Sequence, residues 1–213
     1  SARGVREIIL VAQDTAAYGA DLPGDVTLAG LLETLAGCRG IQWIKVLYLY
    51  PDVRRVTDGL VSVFTRHPNL CPVVDVPIQH IAPGVLKRMR RPGPAAVQKV
   101  LNRLGRIPGI RFRTTVIVGF PGETREEFEA LCRFVEEGWF YSLGAFAYSD
   151  EEGTAARGLP DKVPEAEKQA RLAALMAVQQ EVSARHNAAM KGETFPVLIE
   201  GEHEETPLLL KGR

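Results

Sequence analysis

Residues 111–138 read RFRTTVIVGFPGETREEFEALCRFVEEG. The stretch contains a strand, a turn and a helix in succession. Arg111–Val118 is rich in β-branched residues, and its apolar centre runs without alternation, as in a strand covered on both faces. Gly119 and Gly122 frame the turn GFPGE, which is expected to offer free backbone N–H and C=O groups to a flat ligand, because the missing Cβ atoms let it lie against the chain. Thr124 and Glu127 have the spacing of a capping box; Phe128, Leu131, Cys132 and Val135 form an apolar stripe, and Gly138 closes the helix. A buried strand feeding an amphipathic helix is part of a βαβ unit. Repeated, such units build parallel sheets with right-handed crossovers.

The alternation extends in both directions. Strands are expected at Glu7–Ala12, Gln42–Tyr48, Val73–Ile78 and Ser142–Tyr148 besides Arg111–Val118. Between them, Val53, Val56, Leu60, Val63 and Phe64 share one helical face. Val97, Val100, Leu101 and Leu104 share another, with Pro94 suited to a helix start. A long helix is expected from about Pro164 to Met190, with Leu172, Leu175, Met176 and Val182 inward. The fold class is α/β: a partial (β/α) TIM-like barrel of about five parallel strands. After Met190 the period changes, and Phe195–Glu200 and Pro207–Lys211 read as two short strands round a polar turn. The expected division is residues 1–192 for the partial barrel and 193–213 for the start of a small β domain, with Gly153–Pro164 as the linker-like stretch.

Folds of this kind place ligands at the carboxyl ends of their strands. Polar or turn residues collect there: Gln13, Asp14 and Thr15 after the first run; Asp75, Gln79 and His80 at the third; Gly119–Glu123 after the fourth; Tyr148–Thr154 after the fifth. The second tip offers Tyr48, Tyr50 and Pro51. Asp14 and Thr15 are equally ordinary as cap and turn residues. A lone histidine such as His80 is more often structural, and its neighbours Asp75 and Gln79 bring a site role level with that reading. KRMRRPG, Lys87–Gly93, reads first as a solvated helix end favoured by the macrodipole, and second as a contact for RNA or an acidic partner.

The 213 residues are 46% hydrophobic, enough for one core with a small appendage, and 26 basic side chains balance 26 acidic ones. Zero net charge gives no global attraction to nucleic acid or membrane, and no apolar run approaches the roughly 20 residues that span a bilayer. Cys38, Cys71 and Cys132 are far apart, form neither a disulfide framework nor a metal motif, and read as small core residues in a reducing cytosol.

Taken together, EIILVAQDTAAYGADL, WIKVLYLYPD, DVPIQH, LKRMRRPG, RTTVIVGFPGETREEFEAL and LGAFAYSDEEGTAA resemble the radical SAM methylthiotransferases. The resemblance covers almost the whole chain, in order. AQDTA, PIQHIA and Glu151-Glu152 are similar to the branch that modifies a ribosomal protein rather than the tRNA-modifying branch.

That resemblance implies two 4Fe-4S clusters and S-adenosylmethionine, cleaved reductively to a radical that attacks the β-carbon of one aspartate of ribosomal protein S-twelve, where a methylthio group is attached. It implies cytoplasmic action on that protein or the small ribosomal subunit, no membrane, and a TRAM-like C-terminal β segment through which nucleic acid is a possible partner. The implied cofactor-binding positions are Gln13, Asp14, Thr15, Gln79, His80, Ile117, Val118, Gly119 and Tyr148. No side chain is assigned as catalytic. No cysteine matches a cluster ligand, so the resemblance marks the chain as a fragment without the C-x-x-x-C-x-x-C loop, the N-terminal cluster domain or the first barrel strand. The expectation is therefore an open sheet whose edge at Glu7–Ala12 is unpaired or covered by a neighbouring chain or loop, no iron, and no catalysis by the chain alone. Methylthiolation of tRNA adenosine is the nearest alternative, and a ribosome-docking module built on KRMRR the non-enzymatic one. An aldolase-like barrel would need a Schiff-base lysine at a strand tip, and none is there.

Overall fold

A computed structural model describes residues 4–212. Five strands form one parallel sheet in the order β1 (Glu7–Leu10), β2 (Trp43–Val46), β3 (Leu70–Asp75), β4 (Arg111–Val118) and β5 (Phe140–Ala147). Helices α1 (Leu28–Ala36), α2 (Asp58–Arg66), α3 (Pro83–Arg88), α4 (Pro94–Leu104) and α5 (Arg125–Glu136) fill the crossovers, and α6 (Glu165–Ala189) follows the last strand. Neighbouring strands are consecutive in the chain, so each crossover moves one place along the sheet and all five carboxyl ends fall on one side. Among the described residues β1 pairs only with β2.

The core lies between the sheet and its helices. Ile44, Val46, Val74, Val116 and Val118 from the strands meet Leu60, Val97, Leu101, Leu104, Leu131 and Val135 from the helices, all essentially inaccessible to water. The capping box of α5 is present in full: Thr124 Oγ1 accepts the Glu127 N–H at 3.2 Å and the Glu127 carboxylate accepts the Thr124 N–H at 3.1 Å. Such a cap contributes about 1 kcal/mol and fixes where the helix leaves the GFPGE turn.

Several strand limits differ from the expected ones. β3 begins at Leu70, before Pro72, because Ile44 donates to the Asn69 carbonyl at 2.8 Å and the β2–β3 register shifts where proline has no N–H to offer. β1 ends at Leu10 and leaves Val11 exposed. In α6 the buried positions are Arg171, Leu175, Gln179 and Val182, whereas Met176, expected inward, is 39% exposed. Polar Arg171 and Gln179 interrupt the stripe because each has a bonding partner on the body it packs against. Cys38, expected in the core, is exposed after α1, with its thiol 3.7 Å from the Thr34 carbonyl; Cys71 and Cys132 are half-buried.

The chain divides into two compact units, one ending at Ser183 and one starting at Ala184. The second contains the antiparallel pair β6 (Ile199–His203) and β7 (Thr206–Gly212); β6 lies later than the expected Phe195–Glu200, and β7 contains the expected Pro207–Lys211 with one residue more at each end. Leu208, Leu209 and Leu210 of this pair are exposed. No helix among the described residues is long and apolar enough to cross a membrane.

Candidate functional site

The carboxyl ends of the strands concentrate unusual backbone. Tyr48 after β2, Gln79 after β3 and Arg90 after α3 adopt φ of 56°, 66° and 55°, and Gly119 after β4 adopts 70°. Left-handed conformations at residues with a Cβ are costly, and they persist where the surroundings hold them. Gln79 is held on both sides: its N–H donates to the Thr115 carbonyl at 2.9 Å, and its carbonyl accepts from Ile117 at 2.9 Å. Chain leaving β3 thus stays beside β4 as far as Gln79. Tyr48 is tied to Asp75 through the backbone, with Leu49 donating to the Asp75 carbonyl at 2.8 Å. Burial pushes the Asp75 carboxyl up, against the opposing pull of Arg113, its partner in register on β4, and of the Tyr48 amide.

The GFPGE turn is pinned from inside. Glu123 Oε2 accepts the Gly119 N–H at 2.8 Å and the Phe120 N–H at 3.3 Å, while Oε1 accepts from Arg171 Nη1 of α6 at 2.8 Å. Arg171 also reaches the Glu123 carbonyl and Glu167. Burial pushes the Glu123 carboxyl up, and Arg171 and the two turn amides pull against it. The Gly119 and Phe120 donors are therefore occupied, which corrects the expectation that this turn offers free N–H groups to a ligand. Gly119 has a packing reason as well: a Cβ there would lie 2.2 Å from Lys168 Cγ.

His80 is fully buried behind this turn. Its Nδ1 accepts the Ala82 N–H at 2.9 Å, which puts the ring proton on Nε2, 3.6 Å from Glu123 Oε2. Burial, with Arg88 and Arg171 nearby, lowers its pKa from 6.5 to about 4, so the ring is neutral at pH 7.

In front lies an open cleft of about 310 Å³ lined by Gln79, Arg88, Met89, Arg90, Arg91, Ile117, Phe120 and Thr154–Ala156. It contains three guanidiniums and no carboxylate. Arg88 is committed: Nη2 donates to the Gly122 carbonyl and to Glu127 Oε2, each at 3.0 Å. Arg91 lies over the Tyr50 ring at 4.9 Å, and its buried Nη1 has no hydrogen-bond partner. An apolar floor with an unmatched cation above it suits an anion-bearing molecule with a flat apolar part.

The expected site residues separate into three groups. Gln79 and Ile117 line the cleft. His80, Val118 and Gly119 stand behind it as supports, with Val118 accepting the Tyr148 N–H at 2.9 Å. Tyr148 packs edge-on against Phe120 at 5.1 Å between centroids, and its hydroxyl donates to Asp150 at 2.8 Å. Gln13, Asp14 and Thr15 lie at the β1–β2 tips, away from that lining. Gln13 is exposed, Asp14 caps the Ala16 N–H and pairs with Arg55 at 2.9 Å, and buried Thr15 directs its hydroxyl to the Leu47 and Tyr48 carbonyls. The sequence reading did not place Met89, Arg90, Arg91, Ala155 or Ala156 at the site, and had Thr154 only as the end of a strand-tip stretch. The signal for Arg91 was present in KRMRR, but Lys87 and Arg88 close α3 as a solvated helix end would, and Arg90 and Arg91 lie beyond it.

Iron has no comparable place. Cys38, Cys71 and Cys132 stand on separate parts of the fold, and no group of three or more His, Cys, Asp or Glu side chains among the described residues could hold a metal ion. The residues present do not fit a 4Fe-4S cluster, whose thiolates must converge.

A parallel α/β sheet with a cleft at the strand carboxyl ends defines the class, and the family described as the Radical SAM superfamily matches residues 2–135; the chain belongs to that superfamily. Within it, the chain is 49% identical over its whole length to "Ribosomal protein uS12 methylthiotransferase RimO" of Geotalea uraniireducens, and 48% to the protein of the same name from Geobacter sulfurreducens. It spans 47% of each, about half the length of these curated relatives. The solved structure of the radical SAM enzyme coproporphyrinogen III oxidase (HemN) from Escherichia coli shares the fold with a TM-score of 0.57 at 19% identity, over 73% of this chain and 36% of that one.

Proposed function

We propose that this chain is the cofactor-holding part of a methylthiotransferase that modifies the β-carbon of an aspartate in ribosomal protein S-twelve. The observation that carries the reading is the cleft of Gln79, Arg91 and Ile117, with an apolar floor and a half-buried guanidinium whose Nη1 has no hydrogen-bond partner, in a chain 49% identical to a protein named for that activity. S-adenosylmethionine has the matching parts: a flat base, a ribose and a carboxylate. Arg91 would hold the carboxylate, its guanidinium already oriented by Tyr50. The Gln79 amide would bond the ribose, and Ile117, Phe120 and Met89 would cover the base and exclude water. Glu123 and Arg171 keep the wall behind them in place. S-adenosylmethionine, held in this cleft, would be the source of the hydrogen-abstracting group. This chain's residues bind, orient and shield, and a 4Fe-4S cluster needs thiolates that they do not provide.

The β6–β7 pair is read as part of a TRAM-like β domain, with nucleic acid as its possible ligand, and the site of action as the cytoplasm. The test is mass spectrometry of ribosomal protein S-twelve and of tRNA after incubation with the intact enzyme. A methylthio group on an aspartate of the protein supports the reading. The same group on tRNA adenosine, with none on the protein, overturns it.

A further inference from the structure

The cleft contains two guanidiniums that no acid matches. Arg91 is the inner one, half-buried over Tyr50. Arg90 is the outer one: it lines the same cleft, is exposed to water, and makes no ion pair or side-chain hydrogen bond among the described residues. Arg90 also occupies a left-handed backbone position, φ 55°, where glycine or asparagine would be at ease. That conformation closes α3, with the Arg90 N–H donating to the Lys87 carbonyl at 3.1 Å and the Arg91 N–H to the Leu86 carbonyl at 2.8 Å; what internal packing does not use is the side chain, a long cation without an acidic partner at the mouth of a cleft lacking any carboxylate.

The proposed reaction brings two carboxylates to this place, one on the cofactor and one on the side chain to be modified. A small cofactor lies within the cleft, whereas a protein substrate arrives from solvent. We propose that Arg90 recognises the carboxylate of the substrate's acidic side chain, leaving Arg91 for the cofactor. The inference rests on the cofactor reading of the cleft and adds its specificity. Arg90 holds the acid group so that the adjoining carbon faces inward, and a neutral amide in its place is rejected because the guanidinium is left without its anion.

The experiment uses the intact enzyme with its clusters reconstituted and S-adenosylmethionine bound. Affinity is measured by fluorescence anisotropy for labelled ribosomal protein S-twelve and for the same protein with its target aspartate replaced by asparagine. Wild type is expected to bind the aspartate form about 10- to 100-fold more tightly, the range for a charge-assisted pair. In Arg90→Gln that preference collapses to near unity, and Arg90→Lys restores part of it. Arg90→Gly also loses the preference, while its thermal midpoint equals or exceeds that of wild type because the left-handed position is relieved. Loss of binding through misfolding would lower that midpoint instead. Retained discrimination in Arg90→Gln and Arg90→Gly overturns the assignment of Arg90. So does a wild type that methylthiolates the protein yet binds both forms equally. A wild type that neither discriminates nor produces a methylthio product overturns the cofactor reading as well.

Discussion

Replacing His80 by asparagine should flatten the dependence of stability on pH between 7 and 5. The ring is fully buried, and its environment lowers the pKa from 6.5 to about 4. In the unfolded chain the histidine titrates near 6.5. The folded state therefore resists a proton that the unfolded state accepts, and the stabilisation is complete above about pH 6.5 and is lost as pH falls towards 4. At about 1.4 kcal/mol per pH unit, the gap is worth about 3 kcal/mol in full, of which about 2 kcal/mol is lost between pH 7 and pH 5. Asparagine keeps an acceptor near the Ala82 N–H, now bonded to Nδ1 at 2.9 Å, and does not titrate. Its smaller volume lowers stability at both pH values alike. Glu123, raised by burial, acts in the opposite sense but is present in both proteins. Urea unfolding of the 213-residue chain at pH 7 and pH 5 gives the two differences. Wild type should lose about 2 kcal/mol more than His80→Asn on acidification. Equal losses within about 0.5 kcal/mol would refute the buried, neutral histidine.

Three further substitutions are followed by thermal unfolding, two in the same wall and one at the β1–β2 tips. Gly119→Ala places a Cβ at φ 70° and 2.2 Å from Lys168 Cγ, so a loss of about 2 kcal/mol is expected, or roughly 4–8 °C in Tm; an unchanged Tm would deny the close approach. Glu123→Gln presents an amide to Arg171 and leaves that buried cation with only the half-exposed Glu167 as a charge partner, with an expected loss of about 2–3 kcal/mol; under about 1 kcal/mol would mean that the pair is dispensable. Thr15→Val removes the hydroxyl that serves the Leu47 and Tyr48 carbonyls, with an expected loss of about 1 kcal/mol and no effect on cofactor affinity; weakened cofactor binding would return Thr15 to the ligand site. In an intact enzyme, Gln79→Ala should lower anaerobic 5′-deoxyadenosine formation with iron content unchanged, and equal yields would remove Gln79 from the site.

The order of strands and helices was legible because each apolar run in the sheet has its own turn and capping signals; Thr124 and Glu127 mark the start of α5 in sequence and in structure alike. The β3 start was not, because Pro72 looks like a boundary until β2 is seen to shift its register around it. Nor was the inward face of α6, where Arg171 and Gln179 are buried by virtue of partners 48 and 39 residues away. The site was legible as a place rather than as a set of contacts. Four of the five strand tips carried polar groups or a glycine turn, but local sequence does not distinguish Gln79, which lines the cleft, from Asp14, which caps the turn after β1, and Thr15, which ties that turn to the end of β2. Arg91 was hidden in a run of four cations whose first members end a helix in the ordinary way, and only the three-dimensional neighbourhood shows which of them lacks a partner.

The central claim is that the cofactor lies at the tips of β3 and β4 beside Arg91. A titration of the isotopically labelled 213-residue chain with S-adenosylmethionine, followed through its backbone amide resonances, tests it most directly. Without an iron site to hold the methionine portion, Kd should fall in the millimolar range. Shifts should concentrate at Gln79, Arg91, Ile117 and Thr154–Ala156, which surround the cleft. Shifts centred instead on the groove of Ile81, Ala130 and Phe134, or none at all at millimolar cofactor, would contradict the account.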